Sequence, residues 1–356
     1  MEPDFNRVIA ALKHEEPDRV PLVEALITHE IQSQFLGRTV TEDDLASQVE
    51  FWTQAGYDYV PLTVGMMTPG KVTQESQISK TIRDVMLRDG INGEEQKSWN
   101  LEQTSWIHSE RDFEAFPWDE VAKLDFDQFY EVQPLLPRGM KIVALSGKIF
   151  TLTWMLMGFE NFGVNLMINP GFVERVFTQI GQIQLAALEK IKSIPNVAAV
   201  WAVDDLAFGS GPIIRPQALR DYVFPWYREM ARQCHKEGLF FFFHSDGVLW
   251  DLMDDLIDLG IDALHPIDPT CMDINEVKRR VGHRICILGN ISNEILMTGT
   301  PEEVEELVKS RIRDLAPGGG YCLGSGNSVP EWAKFENYMA MRDAGLKYGR
   351  YPIQIN

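Results

Sequence analysis

Apolar runs that stop abruptly at polar residues recur along this chain. The most pronounced is GLFFFFHSD at residues 238–246, where four consecutive phenylalanines give way to His244, Ser245 and Asp246, followed by Gly247. A continuous apolar run of this length suits a strand buried on both faces, as in a parallel sheet wrapped by helices. The same form returns at residues 20–25 (VPLVEA), 58–63 (DYVPLT), 140–147 (MKIVALSG) and 196–205 (NVAAVWAVDD). It returns again at 262–268 (DALHPID), 284–290 (RICILGN) and 319–327 (GGYCLGSGN), so eight strands are predicted.

Helical sequence separates these runs. Phe5, Val8, Ile9 and Leu12 have helical spacing within residues 3–13 and predict a short lid helix. Residues 41–56 open on a threonine and an acidic turn and stop at Gly56. Further helices are expected from the third strand through Leu188, over 216–237 behind Pro216, over 300–316 behind a threonine, a proline and two glutamates, and over 329–345. The rhythm breaks only between residues 64 and 139. There Asp89-Gly90 predicts a hairpin, and Trp106, Phe113, Phe116 and Trp118 stand among prolines in an irregular stretch. This part is expected to be an insertion covering one barrel mouth, not a separate domain. The whole chain, residues 1–356, thus predicts a single α/β domain, a (β/α)8 TIM barrel. A doubly wound sheet would call for GxGxxG after an early strand, and the GSG triplets at 209–211 and 324–326 do not make it.

Composition narrows the function classes. A net charge of −19 argues against nucleic acid or an anionic membrane as the main partner, although an acidic surface can dock a more basic protein. No apolar stretch approaches the roughly 20 residues needed to cross a bilayer. The charged opening MEPDFNRVIAALKHEEPDRVP lacks a signal-peptide core. Cys234, Cys271, Cys286 and Cys322 form no CxxC pair, so a reduced, cytoplasmic setting is expected.

In such barrels the chemistry lies at the carboxyl ends of the strands. The polar residues there are Glu24, Ser146, Asp204, Asp205, His244, Asp246, His265, Asp268, Asn290, Ser325 and Asn327. His244 and Asp246 share one strand face by period-two alternation, and the adjacent Asp204 and Asp205 point to opposite faces. One of that pair is therefore expected to face the pocket and the other to hold a loop or helix N-terminus. Glu24 is either a general acid or an anchor of the first strand. Residues 148–162 (KIFTLTWMLMGFENF) either pack as a helix or supply an apolar wall from Phe150, Trp154, Met155 and Met157. No metal ligand is assigned. Zinc through His244, Asp246 and another group stays open, with oxygen ligands a weak basis for it.

These segments resemble the uroporphyrinogen decarboxylase superfamily over nearly the whole chain. The resemblance rests on RVIAALKHEEPDRVPLVEA, VDDLAFGSGPIIRPQALRDYVFPWYREM, HSDG, DALHPIDP, ILGNIS and GTPEEVEELVKSRI, in the family's order and spacing. True decarboxylases of the family carry an RQAGR-type motif after the first strand and a GHG motif near the eighth. Here EALITHEIQSQFLGR, with only Arg38 nearby, and GSGNSVP stand in those places. A polycarboxylate porphyrinogen is poorly matched to such a pocket. The superfamily's other large branch works with corrinoid proteins, and its thiol-activating members bind zinc through HxC and a distant cysteine. Asp246 and Asn327 replace those cysteines.

The resemblance therefore implies a cobalamin-dependent methyltransferase of the O-demethylase type. It would take the methyl group of a small substrate, such as an aryl methyl ether, to the cobalt of a corrinoid protein. His244, Asp246, Glu24, Asp204 and Asp205 are the expected catalytic groups. Asn290, Asn327, Asp268, His265, Phe150, Trp154 and Met157 are the expected substrate contacts. A decarboxylase of porphyrinogen or a smaller acid is the alternative, and a non-catalytic corrinoid-binding protein is a third reading.

Overall fold

The computed structural model describes residues 2–63 and 105–355. Seven parallel strands form one curled sheet: β1 (Tyr59–Thr63), β2 (Lys141–Ser146), β3 (Val197–Val203), then β6 (Phe240–His244), β7 (Ala263–His265), β8 (Cys286–Leu288) and β9 (Tyr321–Cys322). Between β3 and β6 a small antiparallel hairpin, β4 (Ala207–Phe208) and β5 (Gly211–Pro212), projects from the carboxyl end of β3. Each of the seven strands falls within a run predicted from the sequence.

The first predicted strand, residues 20–25, joins the ring through an isolated parallel bridge. Leu22 pairs with Leu323, and Pro21 accepts a hydrogen bond from the Leu323 N–H at 2.9 Å. Pro21 has no N–H of its own to continue the ladder. On the other side a side chain makes the link. The Tyr59 hydroxyl accepts from the Glu24 N–H at 2.8 Å and donates to the Glu24 carbonyl at 2.7 Å. The ring is thereby completed between β9 and β1, giving the TIM-barrel arrangement.

Alternation divides the core into two layers. Val143, Leu145, Ala199, Trp201, Phe242, Ala263, Cys286, Leu288 and Cys322 point inward, while Ile142, Ala144, Val200, Ala202, Phe241, Phe243, Leu264 and Ile287 pack beneath the helices. The helix Asn6–Leu12 adds Phe5, Val8, Ala11 and Leu12 to the inner layer. It is tied to Gly139 and Gly320, which precede β2 and β9, so it plugs the amino-terminal end of the barrel and leaves the opposite end open.

The described part of the expected insertion, residues 105–139, packs on the helices. Residues 105–139 leave the Leu156 carbonyl, pack Phe113 against Phe172, and reach Pro195 and Asn196 just before β3. This part runs down the outer flank of the helices, where Phe113, Phe116, Phe126, Phe129 and Val132 find burial, and the rest of the insertion lies outside the described residues. The hairpin expected at Asp89-Gly90 lies outside the described residues. No helix among the described residues is long and apolar enough to cross a membrane.

Candidate active site

The polar strand ends divide into a cluster at the open mouth and a set of structural anchors. His244 continues the inward face of β6 past Phe242, and His265 continues that of β7 past Ala263. Their Nδ1 atoms lie 2.8 Å apart. His244 directs its Nε2 toward the mouth, 3.6 Å from Asp205 Oδ1 and 3.8 Å from Asp246 Oδ1. The Asp246 N–H donates to Asp205 Oδ1 at 2.9 Å, and the Asn327 amide donates to Asp246 Oδ2 at 2.5 Å. Asp246 Oδ1 is buried and has no hydrogen-bond partner.

Local backbone demands bring these groups together. The ladder extends past the strand tips, with Asp204 N–H donating to the His244 carbonyl and Ser245 N–H to the His265 carbonyl. Gly247 has φ +87°, and a Cβ there would lie 2.5 Å from the Ala207 carbonyl. Only glycine lets the loop after β6 lie that close to the loop after β3. The Ser245 hydroxyl accepts from the Leu206 N–H at 2.9 Å and fixes the same junction.

Burial disfavours charge on both His244 and Asp246. Burial pushes Asp246 well above the carboxylate range, reinforced by the charges of Asp205 and Asp268. Burial also lowers His244, opposed by Asp205 and assisted by the Lys148 ammonium. His265 lies well below the ordinary histidine value because it is buried and faces His244. Burial opposes the charge of Asp268, but hydrogen bonds from the Thr270 hydroxyl and the Thr270 and Gly247 N–H groups hold its pKa down. Two carboxylates and an imidazole thus converge on a point where one positive charge or proton would satisfy all three.

Several expected site residues serve elsewhere. Asp204 is fully buried and accepts from the N–H groups of Ile149, Phe150 and Thr151 at 3.0, 2.6 and 2.8 Å, with the Tyr227 hydroxyl as a fourth donor. It holds the amino end of the helix Phe150–Met157, as alternation required of one member of the pair, and is not at the mouth. Glu24 points to the outer layer and accepts from the Ser325 N–H at 2.7 Å and its hydroxyl at 2.6 Å, so it anchors the loop after β9. The Asn290 amide donates to the Ile267 carbonyl at 2.6 Å and accepts from Arg311, which takes it from any substrate. His265 is fully buried behind His244 and meets the mouth only through it.

The apolar wall is also corrected. Phe150 and Met157 are fully buried, and Phe150 stacks on Phe177 in the helix layer. Every residue of the Phe150–Met157 helix except Trp154 is buried, which makes it core. Trp154 is partly buried against Phe159. Sequence reasoning missed Lys148, a charged residue directly after the turn glycine that ends β2; its place in the chain was the available signal. Tyr227 and Gln184, which secure the loop after β2, left no such mark.

Comparisons with known proteins agree with this architecture. Residues 107–348 match the family described as uroporphyrinogen decarboxylase (URO-D). Uroporphyrinogen decarboxylase of Legionella pneumophila (strain Lens) is 24% identical over 254 residues, covering 68% of each chain. That of Neisseria meningitidis serogroup C is 24% identical over 250 residues, covering 67% of this chain and 68% of its own. A solved methyltransferase from Methanosarcina mazei superposes with a TM-score of 0.67 at 14% identity, over 98% of this chain and 99% of that one. The family match spans more than half of the sequence, and the chain belongs to the uroporphyrinogen decarboxylase family.

Proposed function

We propose that this protein is a methyltransferase that moves the methyl group of a small methylated substrate, an aryl methyl ether, to the cobalt of a separate corrinoid protein. The observation that carries the reading is the convergence of Asp205, His244 and Asp246 on one point of the open mouth. The corrinoid supplies the nucleophile for the methyl carbon. When the C–O bond breaks, its electron pair stays on oxygen, and a phenolate or alkoxide leaves readily only if a proton or another positive centre meets it. Burial and the charges of Asp205 and Asp268 raise the Asp246 carboxyl toward its protonated form, and its unpartnered Oδ1 is the atom that would offer such a proton. Asn327 fixes the carboxyl's other oxygen, and His244 stands beside it with Nε2 toward the same point.

The charges around this point favour an ether over a porphyrinogen. Asp205, Asp268 and Lys148 are the ionic groups acting on His244, two negative against one positive. A substrate with many carboxylates would meet net repulsion, whereas a neutral methoxyarene would not. The mouth side of the barrel also offers exposed apolar surface for a partner, at Phe159, Met167 and Ile168 on one helix and at Phe208 on the β4–β5 hairpin.

The test is to incubate the protein with methoxyarenes and reduced cobalamin, and separately with uroporphyrinogen. Methyl transfer is expected in the first mixture and no carboxyl loss in the second. His244→Ala and Asp246→Ala should each lower transfer by at least about 100-fold, the usual range for a lost acid–base group. Full turnover in both variants, or decarboxylation of uroporphyrinogen, would refute the assignment.

A further inference from the structure

His265 stands one step behind the open mouth and meets it through a single atom. It is fully buried, and the Trp201 indole packs against its ring at 89° with 5.1 Å between centroids, so it has no route of its own to a substrate. Its Nδ1 lies 2.8 Å from Nδ1 of His244, a hydrogen-bond distance between two atoms each of which is either a donor or an acceptor. One proton fits that contact, and only one. With none, two lone pairs would face each other, and with two the hydrogens would clash. Burial disfavours charge on both rings, so each is neutral and carries a single N–H. The shared proton therefore fixes the outer edge of both rings. Whichever ring donates at Nδ1 is bare at Nε2, and the ring that accepts carries its proton at Nε2.

Two observations distinguish the possible arrangements. The Ser325 backbone carbonyl favours a proton on His265, and with Nδ1 committed to His244 that proton belongs at Nε2. His244 Nε2 lies 3.6 Å from Asp205 Oδ1 and 3.8 Å from Asp246 Oδ1. An N–H aimed at two carboxyl groups would close on one of them to about 2.7–2.9 Å. Neither contact is a hydrogen bond. Both edges thus agree on His244 as the donor at Nδ1, with a lone pair at Nε2.

We propose that His265 is a positioning residue, which by accepting the His244 Nδ1 proton holds His244 with a bare Nε2 toward the mouth and leaves Asp246 as the member of the cluster with a proton to give. The use of that proton rests on the function proposed above. As the C–O bond breaks, its electron pair stays on oxygen and takes the Asp246 proton, Asp246 becomes a carboxylate, and His244 stays neutral. In the other tautomer the His244 Nε2–H would be a donor facing Asp205 and Asp246, and a donor favours the ionised form of a carboxyl group. The acid would then be lost with every side chain still in place.

The 15N shifts of the histidine ring nitrogens read the tautomers in the full-length protein with no substrate present. Signals are assigned by their loss in His244→Asn and His265→Asn. In the wild type His244 should show a protonated Nδ1 and a bare Nε2, and His265 the reverse. A protonated Nε2 on His244 would overturn the proposal. Methyl transfer then separates positioning from packing. His265→Asn sets an amide oxygen where Nδ1 stood and can still accept the His244 proton, whereas His265→Leu fills the space without an acceptor. The leucine variant should lose at least about tenfold in kcat with KM nearly unchanged, part of the 100-fold or more that a placed acid contributes. The asparagine variant should recover most of that loss. Equal losses in the two variants, or none in the leucine variant, would also overturn the proposal. Where the leucine variant fails to fold, the wild-type ring shifts decide alone. Those shifts need neither methyl donor nor corrinoid. A wrong tautomer therefore refutes this proposal alone, while the expected tautomers without methyl transfer refute the function and leave the histidine pairing standing.

Discussion

Burial raises the carboxyl groups of both Glu24 and Asp246, but only Asp246 faces the mouth. Burial raises Glu24 to about 8, against the pull of two hydrogen bonds from Ser325. In the unfolded chain a glutamate titrates near about 4.3. Between those values the unfolded state gives up a proton that the folded state keeps. Stability therefore falls as pH rises, by at most about 1.4 kcal/mol per pH unit, and levels off above the folded value. Glu24→Gln keeps the shape and removes the titration, with the new amide able to donate to the Ser325 hydroxyl. Its unfolding temperature relative to wild type should climb steadily from pH 5 to pH 8. A difference independent of pH would mean that Glu24 is ionised in the fold. The position of Glu24 was partly legible. Val23 and Ala25 belong to the inner layer, so alternation sends Glu24 outward. For Asp204 and Asp205, alternation required opposite faces but could not say which carboxylate turned inward. That depended on the three N–H groups waiting at the helix Phe150–Met157.

At the scale of elements, legibility followed the strength of local signals. The helix Pro301–Leu315 was readable from four residues, because Thr300, Pro301, Glu302 and Glu303 spell out its start. In the structure the Thr300 hydroxyl accepts from the Glu303 N–H, and the Glu303 carboxylate accepts from the Thr300 N–H at 2.8 Å. Thr300→Ala should lower stability by about 1 kcal/mol, read as an earlier denaturant midpoint with an unchanged slope. No loss would show that the cap is replaced by water. Residues 105–139 were harder, since their aromatic residues mark burial without naming the surface that buries them. The first strand was visible as a run but not as an isolated bridge, because its closure uses the Tyr59 hydroxyl, a contact across 35 positions of sequence. Phe150 and Met157 misled for a related reason. An apolar helix beside a site reads the same whether it lines the pocket or the core.

The whole molecule is a barrel stoppered at one end by its first helix and open at the other. That polarity was legible in outline, since every candidate polar group had been placed at a strand's carboxyl end, but the occupant of each end was not. The proposed reaction makes a specific demand on the open end: a large protein-borne cofactor must approach the Asp205–His244–Asp246 cluster. Helix Phe159–Ile168 leads directly into Pro170–Ile191, which descends toward the start of β3, so Met167 and Ile168 stand at the mouth-side end of the molecule. They are 72% and 76% exposed, and for two apolar side chains side by side that exposure is consistent with a covering partner. Replacing both with glutamate leaves the core untouched and adds charge to a surface that an apolar partner patch would have to desolvate. The double variant should transfer methyl groups to free cobalamin at the wild-type rate, while its KM for the corrinoid protein rises by about tenfold or more. An equal loss with both acceptors would place the defect in the fold. An unchanged KM for the corrinoid protein would move the docking surface to another part of the rim.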